Sequence, residues 1–80
     1  MIRLVFLGRL ADVAGGPERS LAADGRTGLA RILSGFEPAL VAALDDPRIR
    51  CARNGELVPR EGLELAPGDE LAFLPPVSGG

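Results

Sequence analysis

Histidine, lysine, tryptophan and tyrosine are absent from this chain, and cysteine occurs once. Without histidine there is no imidazole to act as the base of a catalytic triad or as a metal ligand. Without lysine no side chain can accept an isopeptide bond, so a polymer linked through the chain's own side chains is excluded. The lone Cys51 rules out an internal disulfide and any thiolate cluster. It sits in an apolar–polar alternation, where a single cysteine reads as a small strand residue packed inside. Only Arg50 and Arg53 stand near it in sequence to activate it. Phe6, Phe36 and Phe73 are the only aromatics, so the core has to be mainly aliphatic. No apolar run approaches the length of a membrane span, and the N-terminal segment lacks the cationic, apolar and small-residue order of a secretory signal. No membrane association and a cytoplasmic location are therefore expected. Nine scattered arginines against eleven acidic residues give a net charge of −2, which argues against nucleic acid as a partner.

What is present has the balance of one small soluble domain: 80 residues, 46% of them hydrophobic and 25% charged. Residues 2–7 form a short apolar run expected to be a buried strand, which Gly8 ends. Leu10, Val13 and Ala14 follow helical spacing until Gly15-Gly16-Pro17. Residues 18–22 read as a weaker strand. Thr27 is the expected cap of a helix whose apolar face is Leu29, Ile32, Leu33 and Phe36. Gly35 and Pro38 interrupt that helix, and Leu40, Val41 and Leu44 resume it, giving one main helix with a broken continuation. Residues 49–53 and 56–58 read as a hairpin about Asn54-Gly55, and Pro67-Gly68-Asp69 turns the chain into a last strand over residues 70–74. This order describes an α+β, β-grasp (ubiquitin-like) fold. It has a mixed sheet of about four to five strands, one main helix packed on one face, and the first and last strands central and parallel.

Side-chain parity divides the two most apolar strands. Ile2, Leu4 and Phe6 share one face with Leu71 and Phe73 as the expected core, leaving Val5, Leu7, Leu74 and Leu57 toward the outside. If clustered, that outward set makes a docking patch for another protein. A domain over residues 1–74 is then followed by Pro75-Pro76-Val77-Ser78-Gly79-Gly80, read as an extended, flexible tail over residues 75–80. The prolines fix φ and stiffen the exit. The glycines lack Cβ, so they can thread a narrow site and leave the terminal carboxylate open to attack. Six extended residues reach at most about 20 Å.

These features resemble the MoaD/ThiS family of ubiquitin-like sulfur carriers, and within it the small subunits of molybdopterin synthase. Val5-Phe6, Leu10 and Gly15 match the first strand and helix of that family. Asn54-Gly55-Glu56-Leu57 is similar to its V-N-G hairpin, with Arg53 where an apolar residue is usual. Pro67-Gly68-Asp69-Glu70-Leu71 resembles its G-D-E turn, and Pro75-Pro76-Val77-Ser78-Gly79-Gly80 its P-P-V-[ST]-G-G ending. The resemblance spans the chain and is weakest over residues 17–48.

It implies that Gly80 is the reactive terminus, adenylated and then converted to a thiocarboxylate, with Gly79 giving clearance. It implies that Leu7, Leu57 and Leu74, with Pro75, Pro76, Val77 and Ser78, meet the partner. The implied acceptor is a cyclic pyranopterin phosphate, which two sulfur transfers convert to the dithiolene. The implied partners are a MoaE-type large subunit, which supplies the catalytic side chains of the sulfurtransferase in a heterotetramer, and a MoeB-type adenylating enzyme that uses ATP and magnesium. No cofactor or metal is expected on this chain. Two other readings share the activation step, namely sulfur delivery to the thiamin thiazole and a protein modifier joined to a target lysine. A plain interaction domain is the third.

Overall fold

A computed structural model describes residues 1–76. The first and last apolar runs form β1 (Ile2–Phe6) and β7 (Glu70–Leu74), which pair in parallel with Leu4 opposite Leu71 and Phe6 opposite Phe73. Between them come α1 (Leu10–Ala14), β2 (Glu18–Leu21), β3 (Thr27–Gly28), α2 (Leu29–Ser34), α3 (Pro38–Leu44), β4 (Arg50–Arg53), β5 (Glu56–Val58) and β6 (Glu64–Leu65). The main sheet has the order β2-β1-β7-β4-β5, so the last strand is its centre, and β3 and β6 form a separate two-stranded ribbon. The expected β-grasp architecture is present, with five strands in the mixed sheet.

One face of the sheet is sealed. Ile2, Leu4, Phe6, Cys51, Leu71 and Phe73 are buried in a single cluster with Leu10, Leu29, Ile32, Leu40 and Leu44 from the helices. Phe6 stacks on Phe73 with ring centroids 5.5 Å apart, and Phe36 meets Phe6 edge-on at 5.9 Å. The Arg19 guanidinium lies 5.4 Å from the Phe36 centroid. It also makes two hydrogen bonds to the Glu37 carboxylate, at 3.0 and 2.8 Å, tying β2 to the start of α3.

The helical region departs from expectation in three ways. Two short helices stand in place of one main helix with a continuation, because Gly35 ends α2 and Pro38 occupies the first turn of α3, where its missing N–H costs nothing. Both contribute core residues. Thr27 does not cap α2: it belongs to β3, its hydroxyl donates to the Gly25 carbonyl at 3.1 Å, and Gly28 takes the cap position. Val13 lies outward, 41% exposed, leaving Leu10 and Ala14 as the buried side of α1. The ribbon of β3 and β6 has no periodicity long enough to be read from sequence, yet its Leu65 is fully buried and Leu63, just before β6, is buried too.

The two short motifs of the sequence meet and brace each other. Asn54 and Gly55 both have positive φ, 52° and 84°, as a two-residue hairpin turn demands. The Asn54 amide donates to the Asp69 carboxylate at 3.0 Å and accepts from the Glu70 N–H at 2.9 Å. The other Asp69 oxygen accepts from the Ala66 N–H at 2.8 Å. Asn54-Gly55 and Gly68-Asp69-Glu70 are thus one structural clasp at the end of the sheet remote from the tail. Replacing Asn54 with Ala should lower stability by roughly 1–2 kcal/mol, read as a fall of roughly 5–10 °C in Tm.

Three carboxyls are held below their usual range by hydrogen bonds. Asp46 is lowered to about 2, chiefly by the Arg48 side chain and then by its N–H. Asp69 is lowered by the Ala66 N–H and Asn54, and Glu37 by Arg19. A carboxyl whose folded value lies below its unfolded value of about 4 stabilises the fold above that value, and its contribution is lost as pH falls through the folded one. Thermal stability should therefore drop on acidification between about pH 5 and about pH 2. Asp69→Asn should flatten part of that slope in a pH series of melting curves.

Candidate functional site

Among the described residues no helix crosses the opposite face of the sheet. Its register aligns Val5, Ala72, Ala52 and Leu57 in one row across β1, β7, β4 and β5. The next row toward the tail sets Arg50 directly opposite Leu74, and Leu7 follows the end of β1 beside them, its N–H bonded to the Phe73 carbonyl. Leu7 is 41% exposed and Leu57 53% exposed, while Val5 and Leu74 are half-buried. The two alanines leave the middle of the row low between Val5 and Leu57, giving an apolar trough. Its far end is closed by charge: Arg3 makes two hydrogen bonds to Glu18, at 3.1 and 2.8 Å, and an ion pair with Glu70 at 3.4 Å.

The tail begins at the centre of the sheet. Leu74 ends β7, and Pro75 and Pro76 follow half-buried. Pro75 rests on Gly8, which turns the chain after β1 with φ +56°. A Cβ at Gly8 would stand 3.1 Å from the Pro75 Cγ, so this glycine serves both the left-handed turn and the seat of the first tail residue. The Leu7 N–H donates to the Phe73 carbonyl at 3.1 Å, extending the β1–β7 contact to the root of the tail. Leu7 and Leu74 therefore flank the point from which the tail departs.

A sequence profile described as the ThiS family matches residues 4–80. The chain belongs to the ThiS family. It is 33% identical, over the whole of both chains, to the molybdopterin synthase sulfur carrier subunit of Escherichia coli. Among solved structures it is similar to SAMP1 from Haloferax volcanii, with 35% identity, a TM-score of 0.78, and 99% and 98% of the two chains covered. The small archaeal modifier protein 1 from Methanosarcina acetivorans is similar at 30% identity and TM-score 0.74, covering 99% and 95%. The chain is thus a MoaD/ThiS-like sulfur carrier or ubiquitin-like modifier; the motifs had resembled the carriers, with the modifier as a rival reading.

In this ThiS-family protein the structure brings Leu7, Leu57 and Leu74 onto one face, with Pro75 and Pro76 at its edge. Val77, Ser78, Gly79 and Gly80 lie outside the described residues. Sequence parity did not identify Ala52, which needed the β4–β7 register, nor the contact of Gly8 with Pro75. The alternation of Arg50 with the inward Cys51 was the available signal for Arg50. Cys51 is buried in the core cluster, and burial pushes its thiol pKa up, opposed by the nearby Arg60. Its expected behaviour is inertness: alkylation of Cys51 in the folded protein should proceed only as fast as the protein opens, and at the rate of a free thiol in denaturant.

Proposed function

We propose that this chain is the sulfur-carrying subunit of a molybdopterin synthase. The observation that carries the reading is the full-length similarity, at 33% identity, to a protein named for that role. The trough beside the tail root supports it, because a carrier must hold a partner while presenting its terminus to that partner's pocket. An adenylating enzyme would use ATP and magnesium to join AMP to the Gly80 carboxylate, releasing pyrophosphate. The terminal sulfur of a persulfide then attacks the acyl carbon and AMP leaves. A thiol cleaves the S–S bond reductively, leaving the thiocarboxylate.

Docked through Leu7, Leu57 and Leu74, the carrier would pass its tail, from Pro75 through Val77, Ser78 and Gly79, into the large subunit. Its sulfur would there form a C–S bond to a carbon of a cyclic pyranopterin phosphate while a C–O bond of that carbon breaks, the oxygen leaving on the opened phosphate or as water. Hydrolysis of the resulting acyl–sulfur bond would free Gly80 again. Two such cycles build the dithiolene, and acid–base groups come from the large subunit. Incubation with an activating enzyme, ATP, magnesium and a persulfide donor should exchange one oxygen for sulfur at Gly80, seen as a mass change in the C-terminal peptide. Absence of that change with a competent enzyme would count against the carrier role.

A second reading is favoured by the archaeal relatives at 35% and 30% identity, of which the latter is named a small archaeal modifier protein. In that case the activated Gly80 would end on a target amine. Covalent conjugates that survive reduction, instead of a thiocarboxylate, would mark that outcome.

A further inference from the structure

Where the trough meets the β4–β5 edge, a shallow depression of about 360 Å³ opens beside Leu57. Arg50, Pro59 and Arg60 line it with Pro47 and Val58, and Glu61 is the one acidic residue of its lining. Two features make this place distinct from the rest of the face. Arg3, at the other end of the trough, is committed to Glu18 and Glu70, whereas Arg50 is exposed and takes part in no ion pair among the described residues. Arg60 is fixed in place, its Nη1 donating to the Leu44 carbonyl at 2.6 Å, so its charge is part of the wall. Two cations against one carboxylate leave the depression positive, next to an exposed leucine and in the same row as Leu74.

We infer that the depression receives an acidic side chain of the docking partner, with the Arg50 guanidinium as its ligand and Leu57 packing against its stem. This rests on the proposed carrier role and names the partner chemistry at its docking face. An arginine is suited to the task because its planar fork pairs with both oxygens of a carboxylate, and because it desolvates more readily than an ammonium. The apolar trough alone fixes little about orientation. A single charge at one corner, beside the tail root, sets the rotation of the partner on the face and so aims the tail at the pocket. Paired charges at the Arg3 end offer a partner no such anchor.

The test is the Kd of the carrier for the molybdopterin synthase large subunit, for the wild type and for Arg50→Ala, Arg50→Lys and Arg50→Glu, at low and high salt. Arg31→Ala on α2, an exposed residue on the helical side, is the control. Arg50→Ala should bind about tenfold more weakly and with less salt dependence, and Arg50→Lys should fall between it and the wild type. Arg50→Glu should be weaker than Arg50→Ala by about a further tenfold, because it sets like charges face to face. The inference is overturned if Arg50→Ala and Arg50→Glu both match Arg31→Ala, or if they weaken binding equally, which would mean only shape matters there. If the wild type itself does not bind the large subunit, the carrier reading fails, and this inference with it.

Discussion

A chain extended by one residue beyond Gly80 should fold as the wild type does and support no sulfur transfer at all. Among the described residues every member of the buried cluster lies between Ile2 and Phe73, so the extension alters none of them. Melting temperature and far-ultraviolet spectrum should be unchanged. The chemistry, in contrast, needs the terminal carboxyl at one distance from the docked face. One added residue moves it by up to about 3.5 Å and puts an amide where the reactive acyl group should be. A misplacement of that size is enough to remove a reacting group from its site. The expected outcome is complete loss of thiocarboxylate, measured by mass on the C-terminal peptide, with the extension verified intact. Product from an untrimmed extended chain would refute the terminal mechanism.

The second large effect separates two neighbours in β7. Phe73 is fully buried and stacked on Phe6, whereas Leu74 faces the trough. Phe73→Ala should cost about 3–5 kcal/mol and unfold much of so small a domain. Leu74→Asp should leave it folded, because the new carboxylate would stand opposite Arg50. Binding to the large subunit should nevertheless weaken by about 2 kcal/mol or more, roughly thirtyfold, since a charge would lie in the middle of an apolar contact. Equal losses of folding and binding in Leu74→Asp would assign Leu74 to the core instead. The pair is informative because the residues are adjacent in one strand and lie on opposite faces of the sheet.

Much of this was legible in the chain because its main strands are short and apolar and are bounded by glycine, asparagine and proline turns. Parity divided the strands into two sets, and the set holding both Phe6 and Phe73 marked Ile2, Leu4, Phe6, Leu71 and Phe73 as core, with Leu7 and Leu74 on the open face. The hairpin at Asn54-Gly55 and the turn before Glu70 followed from residues that tolerate positive φ. What escaped was of two kinds. The ribbon of Thr27–Gly28 with Glu64–Leu65 is too short for any period, and its existence depends on a tertiary pairing. Thr27 lost its expected capping role to the same pairing. The site residues Ala52 and Arg50 needed the alignment of β4 with β7, and Gly8 needed the position of Pro75, contacts between segments far apart in the sequence. Periodicity assigns a face to each strand. It does not say which residues of different strands share a row, and the row is what makes a docking site.

The most direct test of the carrier role is to prepare this chain with a thiocarboxylate at Gly80 and add it to an extract lacking its native carriers. The extract would hold the large subunit and be supplied with the cyclic pyranopterin phosphate, with dithiolene-pterin as the readout. The account predicts dithiolene formed in proportion to thiocarboxylate consumed, and none from the carboxylate form without activation. No dithiolene from a fully thiocarboxylated, folded chain would contradict the molybdopterin assignment, and restoration of thiazole synthesis in the same extract would place the carrier in the thiamin route instead.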